Sequence, residues 1–275
     1  MSSPQNPWLE SPASTQSQAP ELLPSVHAVA QPIEDPAWTG WDVLLIAVLT
    51  ILSIIVFLFA VTYAAQRLVY PKVTIADVAK YPIVTVLAQL LAYLFMLVAM
   101  ISVVKGRPGQ GFWRSIRWNW PKNWVAYMFG GVVLAVALQG FAHLLPIPKE
   151  LPIDRFFQTT SEAWALSIFG VTLAPLFEEL FFRGLLYPVL ARRLGVVMAA
   201  ALTAAGFGLI HAPQLGKAWA PVLVVFLVGL ALTITRAVTK SVAACVLIHI
   251  AYNGTISGLI FLGTDGFRHL EKLNQ

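Results

Sequence analysis

Apolar positions along this chain come in long unbroken runs, not in the alternation of a half-buried strand or the narrow stripe of a soluble amphipathic helix. Seven runs can be delimited, near residues 42–65, 82–104, 123–145, 162–187, 196–212, 219–236 and 241–262. A helix needs about 20 apolar residues to cross the hydrocarbon of a bilayer. All but the fifth approach that length, and the fifth is expected to tilt or to pack wholly against other helices. The pattern predicts an all-α, polytopic transmembrane helical bundle of about seven spans.

Residues 1–40 follow another rule. They are rich in Pro, Ser, Gln and Ala, and they hold Glu10, Glu21, Glu34 and Asp35 without one Lys or Arg. Such a segment buries too little apolar surface to fold and is read as a disordered tail. It lacks the basic start and adjoining apolar stretch of a signal peptide. The chain then divides into this tail, a transmembrane domain over 41–265 and a C-terminal tail over 266–275.

Composition strengthens the membrane reading. Of 275 residues, 58% are hydrophobic and 11% are charged, against about 25% charged in soluble domains. The single cysteine, Cys245, excludes an intramolecular disulfide, and no CxxC metal pair exists. The net charge of +5 resides in short loops between apolar runs. That distribution suits anionic headgroups and topology control, and no nucleic-acid partner is expected. The segment Phe112–Trp124 interleaves Arg114, Arg117 and Lys122 with four tryptophans, as an interfacial anchor does. The basic cluster over 105–122 favours a cytoplasmic N-terminus. That orientation counts Arg192, Arg193, Arg236 and Lys240 as loop charges of the same side.

The informative residues are those that hydrocarbon should not tolerate. Glu178, Glu179 and Arg183 lie in the fourth run, His211 in the fifth, and His249 with Asn253 in the seventh. Successive helical residues turn by about 100°. Arg183 therefore sits one turn along from Glu179 and on nearly the same face, where an ion pair forms readily. Glu178 is left without a cation on its own helix and is available to take a proton. Pro175, one turn before the pair, is expected to kink the helix. A salt bridge alone would explain Glu179 and Arg183 but not Glu178. His249 and Asn253 share a face at i and i+4, and His211 follows Phe207 by one turn.

Convergence of these groups on one polar cavity satisfies all of them at once. A carboxylate and an imidazole sharing a water can deprotonate it, and a second imidazole with an amide can donate to a developing oxyanion. Together they describe hydrolysis of a peptide bond. Two histidines and a carboxylate can also hold zinc, so Glu178, His211 and His249 are the ligand set if a divalent metal is used. HExxH is absent, as is a pair of in-span aspartates. Ser257 is the nearest serine, and Gly254 and Gly258 around it make the GxxxG pattern of close helix packing.

Three motifs together, Glu178-Glu179-Leu-Phe-Phe-Arg183, Phe207-Gly-Leu-Ile-His211 and His249-Ile-Ala-Tyr-Asn253, resemble the CAAX-processing type II prenyl proteases, the Rce1-like or CPBP family. The resemblance covers about 160–262. It implies an intramembrane endopeptidase whose catalytic residues are Glu178, His211, Glu179, His249 and Asn253, with Arg183 and Phe207 as structural support. Glu178 and His211 would activate the water, Glu179 would support them, and His249 with Asn253 would hold the oxyanion. Members are described both as metalloproteases and as glutamate-dependent enzymes. The implied partners are the bilayer and a peptide or protein substrate, prenylated at a CaaX cysteine in eukaryotic relatives. A prokaryotic plasma membrane is expected. The competing classes are a proton-coupled transporter, for which no inverted repeat of the polar segments is found, and a non-catalytic membrane scaffold. One conflict stands out. If the fifth span starts near Gly195, His211 lies close to its far end. Glu178 sits in the second half of a span running the opposite way, so simple rods separate them in depth and a kinked or shifted fourth helix, or different boundaries, is required.

Overall fold

The computed structural model describes Met1 and residues 35–104, 111–148 and 150–271. The expected tail as far as residue 34, the 105–110 part of the basic loop and the last four residues lie outside the described residues. From Ile33 onward the chain forms one unit. All regular structure among the described residues is helical. It comprises α1 (Gly40–Leu68), α2 (Ile75–Val78), α3 (Pro82–Val103), α4 (Phe112–Ser115), α5 (Trp124–Ala142), a 3₁₀ turn (Pro152–Phe156), a long composite helix, α9 (Trp219–Thr239) and α10 (Val242–Gly263). The composite helix runs through α6 (Thr160–Ile168), a π segment (Phe169–Leu173), α7 (Ala174–Glu179), a second π segment (Leu180–Leu186) and α8 (Tyr187–His211).

Six of these helices, with Thr160–His211 taken as one, are long and apolar enough to cross a membrane. Leu44, Ile51, Ile55, Val56 and Phe59 of α1 point outward and are exposed, the surface that lipid covers in a membrane protein. α1 packs on α3, α5 on α10 and α8 on α9. A core of Ile46, Met96, Met100, Ile116, Phe177, Leu180, Leu185 and Val246 ties α1, α3, the composite helix and α10 together.

The composite helix is not one rod. At Gly195 the backbone leaves helical space (φ 78°, ψ 168°), a conformation adopted almost solely by glycine. The chain doubles back there. Tyr187 and Ala191 pack against Ala199, and the Phe182 and Phe207 rings meet at 5.3 Å. The six helices thus carry seven apolar passes, close to the number read from hydropathy. The return leg, residues 196–211, is roughly 24 Å long. It is shorter than the ~30 Å hydrocarbon layer.

This hairpin resolves the depth conflict. The outgoing helix extends beyond residue 187 as far as the glycine. Glu178 and His211 stand almost equally far along the chain on either side of it. At 1.5 Å per residue both lie roughly 25 Å from the turn, at the same depth. The answer is a different boundary more than a kink, although the first π segment does precede Pro175.

Three further expectations change at the ends of elements. Residues 35–39, read as part of the tail, are docked: Thr39 caps α1 with Asp42 in a reciprocal capping box. Trp38 is buried and its Nε1–H donates to the Leu185 carbonyl at 3.0 Å. Arg192 holds Asp35 and the carbonyls of Pro36 and Trp38. In the C-terminal tail, Phe267 is buried against Trp164 and Phe261. Arg236, read as a loop charge, is buried. The GxxxG glycines also do not mark the tight contact of α10, since a methyl group on Gly258 would meet nothing. That contact lies at Gly131 of α5, whose missing Cβ would collide with the Ile248 carbonyl and lie 2.7 Å from the Ala251 methyl.

Contacts between loops sort the two ends of the bundle. Residues 35–39 meet 185–192, and the Phe112–Trp124 segment meets the α9–α10 turn through Val242 N–H to Arg117 O and Asn119 Nδ2–H to Lys240 O. At the opposite end, Ile153 N–H donates to Gln214 O and Thr160 Oγ1–H to Phe267 O. Exposed Trp113, Trp120 and Trp124 accompany Arg114 and Lys122, as the interfacial anchor requires.

Candidate active site

The outgoing leg of the composite helix, its return leg (in α8), α9 and α10 deliver one polar cluster to the interior, and α3 adds a fifth side to it. Glu179 is fully buried, and its Oε1 accepts from Arg183 Nη1–H and from His249 Nδ1–H, each at 2.8 Å. Arg183, also fully buried, donates through Nη2 to Gly229 O at 2.7 Å and through Nε to Thr233 Oγ1 at 3.3 Å. Its guanidinium lies over the Phe207 ring at 4.7 Å. Arg236 in turn donates to the Arg183 carbonyl at 3.1 Å. A buried ion pair is tolerated when the remaining donors are satisfied, and α9 supplies the acceptors. The Arg183–Glu179 pairing is the one that helical angles predict.

Glu178 has a different environment. Its side chain is 12% exposed, with Oε1 3.9 Å from His211 Nε2 and Oε2 3.9 Å from His249 Nε2. The Tyr93 hydroxyl of α3 lies 3.4 Å from Oε1. The two 3.9 Å gaps exceed direct hydrogen bonds. A water placed about 2.8 Å from both His211 Nε2 and Glu178 Oε1 would subtend an angle of about 88° between them, compressed but within hydrogen-bonding geometry.

Each histidine has its other nitrogen committed. His211 Nδ1 is 2.7 Å from the Phe207 carbonyl, and His249 Nδ1 meets the Glu179 carboxylate. Both partners only accept, so both Nδ1 atoms carry hydrogen. In the neutral rings both Nε2 atoms then present a lone pair. Phe207, 2% exposed, touches both imidazoles and the Arg183 guanidinium, which explains an aromatic one turn before His211.

Asn253 makes a contact that its motif does not announce. Ala174 N–H bonds Phe169 O in the π register. In that register the N–H of residue 175 would reach Gly170 O, but Pro175 has none. Asn253 Nδ2–H takes its place, donating to Gly170 O at 2.7 Å. The amide thus completes the backbone one turn before Glu178.

The possibility of a metal turns on Glu178, His211 and His249. Tetrahedral zinc draws its ligand atoms to roughly 3.3–3.4 Å of one another, from bond lengths near 2.0–2.1 Å. The 3.9 Å separations here are wider, and among the described residues no group of three or more His, Cys, Asp or Glu has the geometry to hold an ion. As they stand, the three side chains are spaced too widely for tetrahedral zinc, and no step is routed through a metal.

Four contributors escaped the sequence reading. Gly229, Thr233 and Arg236 sit at i, i+4 and i+7, one face of α9, a polar stripe that would have pointed inward. Tyr93 carried no signal beyond being a tyrosine inside an apolar run.

A polytopic helical membrane protein with a carboxylate–imidazole centre in its core is thereby defined. Residues 160–255 match the family model of the type II CAAX prenyl endopeptidases, Rce1-like. Over this segment the chain is similar to that family of proteases. Comparisons with curated proteins and with solved structures gave no match.

Proposed function

We propose that this protein is an intramembrane endopeptidase of the CAAX-processing type, in which Glu178 and His211 activate a single water. The supporting observation is the 3.9 Å separation of Glu178 Oε1 and His211 Nε2, with Nδ1 of the imidazole tied to a carbonyl. A water bridging the two donates one hydrogen to each. As its oxygen lone pair attacks the substrate carbonyl carbon, Glu178 takes one proton and the carbonyl π pair moves to oxygen. Collapse of the tetrahedral intermediate breaks the C–N bond, and the proton on Glu178 passes to the leaving nitrogen. Glu179 and Arg183 hold His249 in place, and Asn253 steadies the helix turn that presents Glu178.

Residues 41–265 form the protease domain on this reading, acting on a peptide or protein, prenylated in the CaaX class. The N-terminus faces the cytoplasm of a prokaryotic cell, because Arg114, Arg192 and Lys122 share its end of the bundle. Purified protein should cleave a farnesylated CaaX peptide or members of a membrane-peptide library. Glu178→Gln should lower the rate by ~10²–10⁴. Full activity of that variant would overturn the reading.

A further inference from the structure

Water attack needs a hydrogen-bond donor where the carbonyl oxygen becomes an oxyanion, and each of the two groups that the motifs offer for this already has one hydrogen-bonding position in use, so a further donor would strengthen the site. Asn253 donates to Gly170 O. His249, with its Nδ1–H on Glu179, presents a lone pair at Nε2 when neutral, and a lone pair repels an oxyanion. Among the contacts made by Glu178, the Tyr93 hydroxyl is the one neutral donor.

Its setting suits that task. The ring is half-buried between two phenylalanines of the composite helix: stacked on Phe169 (6.0 Å, 12° between planes) and tilted against Phe177 (5.0 Å, 32°). Clamped in this way, the ring aims its hydroxyl at Glu178. Gln89 is a second hydrogen-bonding neighbour of the hydroxyl, and the 3.4 Å distance to Glu178 Oε1 lies beyond the ordinary 2.5–3.0 Å of an O–H···O bond. The proton is therefore weakly held in the resting site and can turn to a stronger acceptor at small cost. A carbonyl whose carbon is attacked by water between Glu178 and His211 would bring such an acceptor alongside.

We propose that Tyr93, on a helix outside the family-matched segment, is a further catalytic residue that donates its hydroxyl hydrogen bond to the oxyanion formed during peptide hydrolysis. It keeps its proton throughout; the transferred proton is the one that Glu178 takes from water. The proposal rests on the protease reading above.

The test uses full-length protein in proteoliposomes and a fluorogenic farnesylated CaaX peptide, or whichever library peptide the wild type cleaves. Wild type, Glu178→Gln and Tyr93→Phe are compared for kcat, KM and thermal unfolding. Tyr93→Phe keeps the stacked ring, so the unfolding midpoint should not move. The expected result is a kcat lower by about 100-fold, as for loss of one oxyanion donor, with KM within about twofold, since ground-state binding is untouched. A peptide phosphinate mimicking the tetrahedral intermediate should bind Tyr93→Phe more weakly by a similar factor, a readout that a merely structural tyrosine would not move. If Glu178→Gln is inactive while Tyr93→Phe keeps wild-type kcat, the Tyr93 assignment is wrong and the protease reading stands. If Glu178→Gln cleaves at the wild-type rate, or the wild type cleaves nothing, both fall together.

Discussion

Glu178 and Glu179 are neighbours in the chain, yet they stand in two unlike regions. Glu179 lies in a dry, closed pocket where Arg183 and His249 each bond it at 2.8 Å. Glu178 faces a looser space in which no polar group of another side chain among the described residues comes nearer than the Tyr93 hydroxyl at 3.4 Å, and both imidazoles stand at 3.9 Å. The closed pocket fixes geometry and the open one leaves room for a reactant. One turn of helix can serve both ends because adjacent side chains point about 100° apart.

The contrast is most easily broken from the closed side. Arg183→Leu would leave Glu179 buried beside His249 with no guanidinium. Removing one partner of a buried pair costs about 3–5 kcal/mol, so unfolding in detergent should show a loss of that order together with loss of activity. A variant that unfolds like wild type would mean that the closed pocket is not structural. The effect of packing comes next. Gly131→Ala pushes a methyl into the Ile248 backbone and the Ala251 side chain. Overpacking of this kind costs about 1–3 kcal/mol. Because α10 carries His249, the loss should appear in activity as well as in thermal unfolding, and unchanged values in both would refute the close approach.

The smallest effect sharpens the role of Asn253. Asn253→Ala should cost about 1–3 kcal/mol by orphaning the Gly170 carbonyl. Pro175→Ala restores an N–H, so the same change should cost less in that background. A double-mutant cycle with no coupling would detach Asn253 from the proline and return it to a role in the chemistry.

Much of this was legible in the sequence. In-span charges are costly enough that Glu178, Glu179, Arg183, His211 and His249 stood out against their apolar surroundings, and the Arg183 pairing followed from helical angles. The passes followed from hydropathy. Gly195 was legible as the start of the fifth span, but hydropathy did not register that the outgoing helix runs on past residue 187 to that glycine, so it was cut short and the depths of Glu178 and His211 disagreed. Arg236 was misplaced for a related reason. At the end of a run a cation reads as a loop charge, whereas its side chain here turns inward to the Arg183 carbonyl. Residues 35–39 read as tail because their anchoring contacts, Trp38 to Leu185 and Arg192 to the Pro36 and Trp38 carbonyls, are made with residues far along the chain. Tyr93 could be found only in three dimensions.

The asymmetry of the two glutamates is tested most directly by comparing Glu178→Gln with Glu179→Gln for peptide cleavage and thermal unfolding. Glu178→Gln should lower cleavage by ~10²–10⁴ and leave the unfolding midpoint near that of the wild type, whereas Glu179→Gln should lower the midpoint by several degrees as well as slow the reaction. Equal stability losses in the two variants, or cleavage at the wild-type rate in Glu178→Gln, would contradict the division of labour proposed for this site.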